Sequence, residues 1–119
     1  MLLFREYIFQ PEFADPPPYA FSVFSPESEF PKINGVYIFG ELMDLPSRPN
    51  FIEPLYVGET EDFSRRWQEH LNSPKGKWPC AKQYGGNCVC LLEVDPNHDR
   101  LGIQNLFIEV LDPPCNERR

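Results

Sequence analysis

Residues 54–70 read PLYVGETEDFSRRWQEH. A strand ending in Tyr-Val-Gly gives way to a helix within a few residues, and that junction limits what the rest of the chain can build. Thr60 suits the N-cap, with Glu61 and Asp62 in a first turn where the helix dipole favours acids. Phe63, Trp67 and Leu71 recur at i, i+4 and i+8, which predicts one buried stripe, and Pro74 ends the helix. Such a stripe needs a sheet to lie on. NGVYIFG and LYVG supply two short strands, read as a hairpin with a Pro-punctuated insertion from Glu41 to Pro54 at its tip.

The remaining segments complete a small α+β pattern. KGKWPCAKQYGGN reads as a loop, and CVCLLEV alternates as a third strand. Pro96-Asn97 opens a last helix carrying Ile103, Leu106, Phe107, Val110 and Leu111 on one face, until Pro113-Pro114 stops it. Upstream, Leu2 to Phe9 is rich in β-formers and fits an edge strand. Residues 11–31 hold six of the fourteen prolines, Pro16-Pro17-Pro18 among them, interleaved with aromatics. Proline opposes regular structure, while that much aromatic surface argues against a free tail. The expectation is an extended N-terminal arm over residues 1–31, packed on a domain formed by residues 32–119.

At 119 residues the chain supports one domain with one modest core. No apolar run approaches the roughly 20 residues that span a bilayer, and the N-terminus lacks the order of a secretory signal. The expected setting is cytoplasmic, without a membrane. Cys88 and Cys90 are one residue apart in a strand pattern, unlike the paired spacing of structural zinc ligands. All four cysteines are therefore expected to be small buried hydrophobes in a reducing compartment. The formal net charge of -7 disfavours strong, nonspecific binding to duplex DNA. The charge is uneven, however. Residues 59–82 hold five bases against four acids, the only segment with a basic surplus, so a local positive site can sit on an acidic body.

Arg66 and His70 lie one turn apart, in a row beside the apolar stripe. Arginine offers a planar, permanently charged fork suited to phosphate oxygens. Tyr37 and Tyr56 each stand close to a glycine in the hairpin. A phenol can hold or activate a water, but its ordinary pKa of about 10 makes it a poor base unless a cation or metal-bound water assists. Gly35-Val36-Tyr37 followed by Tyr56-Val57-Gly58 resembles the paired motif that names the GIY-YIG nuclease superfamily, which includes homing endonucleases and the cutting domain of the bacterial excision-repair endonuclease. Arg66 falls where that family keeps its essential arginine, His70 follows a turn later, and Pro113-Pro114-Cys115-Asn116 resembles the closing element, over roughly residues 33–117 in all.

The resemblance implies a twisted three-stranded antiparallel sheet flanked by helices, and metal-dependent hydrolysis of DNA phosphodiester bonds. By it, Tyr37 orients or deprotonates water, Tyr56 bonds to phosphate or water, Arg66 stabilises charge on the phosphorus oxygens, and His70 assists proton transfer or positioning. Gly35, Gly58 and Asn116 support the site, and Arg65, Lys75 and Lys77 are candidate nucleic-acid contacts. The implied cofactor is Mg²⁺ or another divalent cation, with no small-molecule cofactor. Gln104 stands where the family places its metal-binding glutamate. A neutral amide is a weaker ligand than a carboxylate, so metal affinity is expected to be low. Glu109 does not substitute, since it lies roughly 120° or more from the centre of the helix's apolar stripe. Two readings stay open: a nuclease, active or weakened, and a non-catalytic module of the same fold that binds nucleic acid or a protein partner. The exposed edge at Leu2–Phe9 also leaves room for a homodimer.

Overall fold

The computed structural model describes residues 2–9 and 19–116. Its elements are β1 (Leu2–Tyr7), β2 (Phe21–Phe24), β3 (Gly35–Leu45), β4 (Arg48–Thr60), α1 (Phe63–Asn72), α2 (Trp78–Gln83), β5 (Cys88–Glu93) and α3 (Arg100–Leu111). They form an α+β fold around one antiparallel sheet of order β1-β2-β5-β3-β4. The three expected strands are β3, β4 and β5. Two more extend the sheet, because the expected arm supplies β1 and β2: Val23 pairs with Cys90 of β5, and Phe4 pairs with Val23. Pro16-Pro17-Pro18 and Phe13 lie outside the described residues.

Alternation along β3 divides the interior in two. Val36 and Ile38 face Phe107 of α3, together with Phe9, Phe21, Val23, Val57, Cys88 and Cys90. Tyr37 and Phe39 face α1 and α2, where Phe63, Trp67 and Trp78 close over Tyr56, Val89 and Leu91. Each large side chain removed from water contributes roughly 1.5–3 kcal/mol, so the aromatic half holds both helices to the sheet. Arg100 binds α3 to the hairpin through Glu59 and Asn34, and Asn34 in turn donates to the Val94 carbonyl at 2.6 Å.

The stretch from Glu41 to Pro54, expected to be an insertion, is mostly strand: β3 runs to Leu45 and β4 resumes at Arg48. Its prolines are tolerated because β4 is an edge strand, and Pro54 stands at a break in register. Phe39 pairs with Tyr56 and Gly40 with Pro54, which leaves Leu55 as a bulge. The extra residue resets the alternation, so Leu55 and Tyr56 both enter the aromatic core.

The helices also depart from expectation in detail. α1 is capped by Asp62, whose carboxylate accepts from the Arg65 amide at 3.2 Å, while Thr60 remains in β4 opposite Gly35. Leu71 is 41% exposed, and its expected place against the sheet is taken by His70. The supposed loop after Pro74 contains α2, which has a proline in its first turn, where the missing amide costs nothing. α3 begins later than Pro96, capped by Asp99, and of its apolar row Phe107 is fully buried while Leu106 is 38% exposed. Cys88 and Cys90 are free and buried as expected. Cys80 and Cys115 are not: they form a disulfide, since α2 and the segment after α3 meet with their Cα atoms 6.0 Å apart, within disulfide reach.

Candidate active site

The close approach of β3 to its neighbours β5 and β4 depends on one glycine at each pairing. A Cβ on Gly35 would lie 2.0 Å from the Leu92 carbonyl oxygen of the neighbouring strand. A Cβ on Gly58 would lie 2.4 Å from both Cζ and Oη of Tyr37, its cross-strand partner. Gly58 is therefore the floor over which the Tyr37 ring lies. The ring is 1% exposed, held between Phe63 at 4.9 Å and His70 at 5.5 Å between centroids.

His70 reaches the same place from the last turn of α1 and is 2% exposed. Its Nδ1 accepts the backbone N–H of Lys77 at 2.9 Å, which places the proton of the neutral ring on Nε2. That Nε2–H donates to Tyr37 Oη at 2.7 Å. Burial, reinforced by the Arg66 charge, lowers the His70 pKa to about 4, so the ring is neutral at pH 7. Arg66 Nε donates to the same Tyr37 oxygen at 3.3 Å, and its Nη1 reaches Glu69 at 2.8 Å. One phenolic oxygen thus accepts from two fixed donors. Burial raises the Tyr37 pKa well above 10, Tyr56 raises it further, and Arg66 opposes both. At neutral pH the phenol stays protonated. The two donors would nevertheless stabilise its anion, should the proton leave.

The Tyr56 ring packs 5.4 Å from His70 and 5.6 Å from Phe39. The backbone of Val57, next in the strand, is held on the free edge of β4 by Asn116. The Asn116 Oδ1 accepts from Val57 N–H and its Nδ2 donates to Val57 C=O, both at 2.9 Å. Beside this cluster opens a cavity of 340 Å³ lined by Arg66, Glu69, His70, Ser73, Lys75 and Gly76. Arg66 and Lys75 give it two cations, and Lys77 is half-buried at its margin through the bond to His70. Arg65 is exposed and lies 3.9 Å from Glu69.

Tyr37, Tyr56, Arg66 and His70 are thus drawn together on the α1 face of the sheet. Gln104 belongs to α3; it is half-buried, donates to Asn105 at 3.2 Å, and is not among the residues that line the cavity. Glu69, Ser73 and Gly76 were not singled out from the sequence. Glu69 could have been, as the only acid on the Arg66 side of the helix at i+3 spacing.

The family model of the GIY-YIG catalytic domain matches residues 34–106. The chain belongs to the GIY-YIG family. Solved structures agree on the fold. The GIY-YIG N-terminal endonuclease domain of UvrC from Thermotoga maritima, bound to magnesium as its catalytic divalent cation, aligns with TM-score 0.57 and 21% identity over 73% of this chain and 86% of that one. An asparagine-to-alanine point variant of the same domain, bound to its divalent cation, aligns with TM-score 0.58 and 20% identity over 74% and 87%. A tyrosine-to-phenylalanine variant gives TM-score 0.56 and 22% identity over the same shares. A comparison with curated proteins gave no match.

In this GIY-YIG domain the donor set fits a divalent cation poorly. Among the described residues no three His, Cys, Asp or Glu side chains gather to hold a metal ion. Glu69, the carboxylate in the cavity wall, is engaged by Arg66, and Gln104 offers only a neutral amide oxygen. Hard cations such as Mg²⁺ favour charged oxygen ligands.

Proposed function

We propose that this domain binds a DNA phosphodiester in the cavity beside Arg66 and hydrolyses it weakly, with divalent-cation dependence limited by Gln104. The observation that carries the reading is the Tyr37 oxygen, held by both Arg66 and His70, which line a cavity that also contains Lys75. Arg66 spends Nε on Tyr37 and Nη1 on Glu69, leaving Nη2 without an acceptor among the described residues and suited to a phosphate oxygen. Lys75 adds positive charge, Lys77 fixes the imidazole through its amide, and Arg65 extends the basic row. A neutral His70 donating to Tyr37 keeps the phenol oriented. Tyr37 and Tyr56 together provide a path along which a proton can move toward or away from a bound water. Asn116 and Gly58 maintain that geometry from behind.

The supply of charge at the leaving oxygen is what the present residues lack. For this reason the competing reading, a GIY-YIG domain retained for binding alone, is tested by the same experiment. Nicking of supercoiled plasmid and binding of a short duplex are measured with Mg²⁺ or Mn²⁺ for the wild-type chain, Gln104→Glu and Arg66→Ala. The expected result is faint nicking by the wild type, a rise of about tenfold or more in Gln104→Glu, and loss of both nicking and binding in Arg66→Ala. Binding without nicking in the Gln104→Glu protein selects the binding module. Neither binding nor nicking rejects both.

A further inference from the structure

We infer that the Cys80–Cys115 disulfide is a reversible thiol–disulfide site that clamps the tyrosine–histidine cluster, so that a dithiol reductant loosens the site without unfolding the sheet. The inference builds on the active-site reading above but rests on contacts of its own. Each sulfur belongs to a different support of the cluster. Cys80 is in α2, whose Lys77 cap donates its amide to His70 Nδ1 and whose Trp78 ring packs 5.2 Å from Phe39 and 5.1 Å from Trp67. Cys115 donates its own amide to the Leu55 carbonyl at 2.9 Å, and Asn116 takes both backbone groups of Val57. Leu55 and Val57 flank Tyr56. The covalent bond therefore joins what fixes His70 to what fixes Tyr56, across 35 positions of sequence.

Apart from the bond, the closing segment is held by these hydrogen bonds to β4 and by the burial of Pro113. It leaves α3 through Asp112 in the left-handed conformation, then passes two prolines before reaching the edge of β4. Like Val57 two residues on, Leu55 turns its carbonyl to the free edge of β4, where Cys115 takes it. The chemistry is confined to this pair, because Cys88 and Cys90 are fully buried in the opposite core. Cys115 is 5% exposed and Cys80 is more accessible, so the incoming thiolate attacks Cys80 Sγ. The S–S bond breaks, and Cys115 leaves as a thiolate that takes a proton. The reductant's second thiolate then displaces Cys80, which takes the second proton, and the reductant departs as a cyclic disulfide. Two electrons and two protons pass to the protein.

The test compares the air-oxidised chain with the same chain treated with dithiothreitol, bond status being verified by alkylation and mass spectrometry at Cys80 and Cys115. Backbone amide exchange is followed at Val57, with Ile38 in the middle of the sheet as reference. The double variant Cys80→Ala/Cys115→Ala serves as a permanently open form, and binding of a short DNA duplex is read alongside. The expected result is exchange at Val57 accelerated by about tenfold or more beyond any change at Ile38, on reduction and in the variant, and weaker binding. If Val57 accelerates while neither redox form binds DNA, the clamp stands and the nucleic-acid reading fails. Unchanged exchange at Val57 with the bond verified open overturns the clamp. So does equal acceleration at Ile38, which would make the bond a general staple, and so does a failure to find the bond in the oxidised chain.

Discussion

The His70 imidazole is buried between two tyrosines and a tryptophan-bearing helix, and its neutrality carries a consequence for stability. Its pKa is about 4 in the folded chain against 6.5 when free. Between those values the unfolded chain binds the proton and the folded chain does not. The contribution is therefore complete above pH 6.5 and is lost as pH falls toward 4, to a total of about 3 kcal/mol at most. Urea unfolding of the wild type and His70→Gln at pH 7 and pH 4.5 should show the difference between them shrinking by most of that amount at the lower pH. A difference that stays constant would mean that the ring is not held neutral. Gly58 gives a second test at this scale. Gly58→Ala forces its methyl group against Tyr37 Cζ and Oη, so the ring must shift off its two donors. The expected cost is about 1–3 kcal/mol in denaturant unfolding, with loss of any nucleic-acid binding. His70 was legible in the sequence as a neighbour of Arg66; its burial was not, because an imidazole in an i+7 position from Phe63 reads equally well as a surface residue.

At the scale of elements, β4 is an edge strand protected by the chain's own closing segment rather than by another strand. Asn116 mimics a strand partner for Val57, satisfying both of its outward backbone groups. Asn116→Ala leaves those groups to water and should cost about 1–2 kcal/mol. Asn116→Asp should fare no better, since a carboxylate can accept from the Val57 amide but faces its carbonyl without a donor. Equilibrium unfolding of the two variants tests both statements; an unaffected Asp form would show that the carbonyl bond contributes nothing. The bulge at Leu55, the capping of α1 by Asp62 and the existence of α2 are also decisions made at this scale. Thr60 and Asp62 both have the chemistry of an N-cap. Which of them serves was settled by Thr60 completing the ladder opposite Gly35 while Phe63 turned into the core. Trp78-Pro79 looked like loop because proline is read first as a breaker, yet it sits in a first turn, where it breaks nothing.

For the molecule as a whole, the disulfide closes a loop of 35 positions, and restricting that loop in the unfolded chain is worth about 3–4 kcal/mol on chain-entropy grounds. Cys80→Ala/Cys115→Ala should lose about 2–4 kcal/mol in guanidinium unfolding while Cys88→Ala acts through core packing alone; equal losses at all sites would argue that no bond forms. The bond also bears on setting, since a stable disulfide belongs to an oxidising compartment and a labile one to a regulated site. No helix among the described residues is long and apolar enough to cross a membrane. The sequence by itself determined the three central strands, the helix that carries Arg66, and the order of tyrosine, glycine, arginine and asparagine, because periodicity and turn chemistry are local properties written in adjacent residues. Only the tertiary structure decided that β1 and β2 join the sheet, that Cys80 meets Cys115, and that the imidazole of His70 turns inward to Tyr37. Each of these is a meeting of segments distant in the chain, and it depends on which surfaces bury one another rather than on what any one stretch prefers.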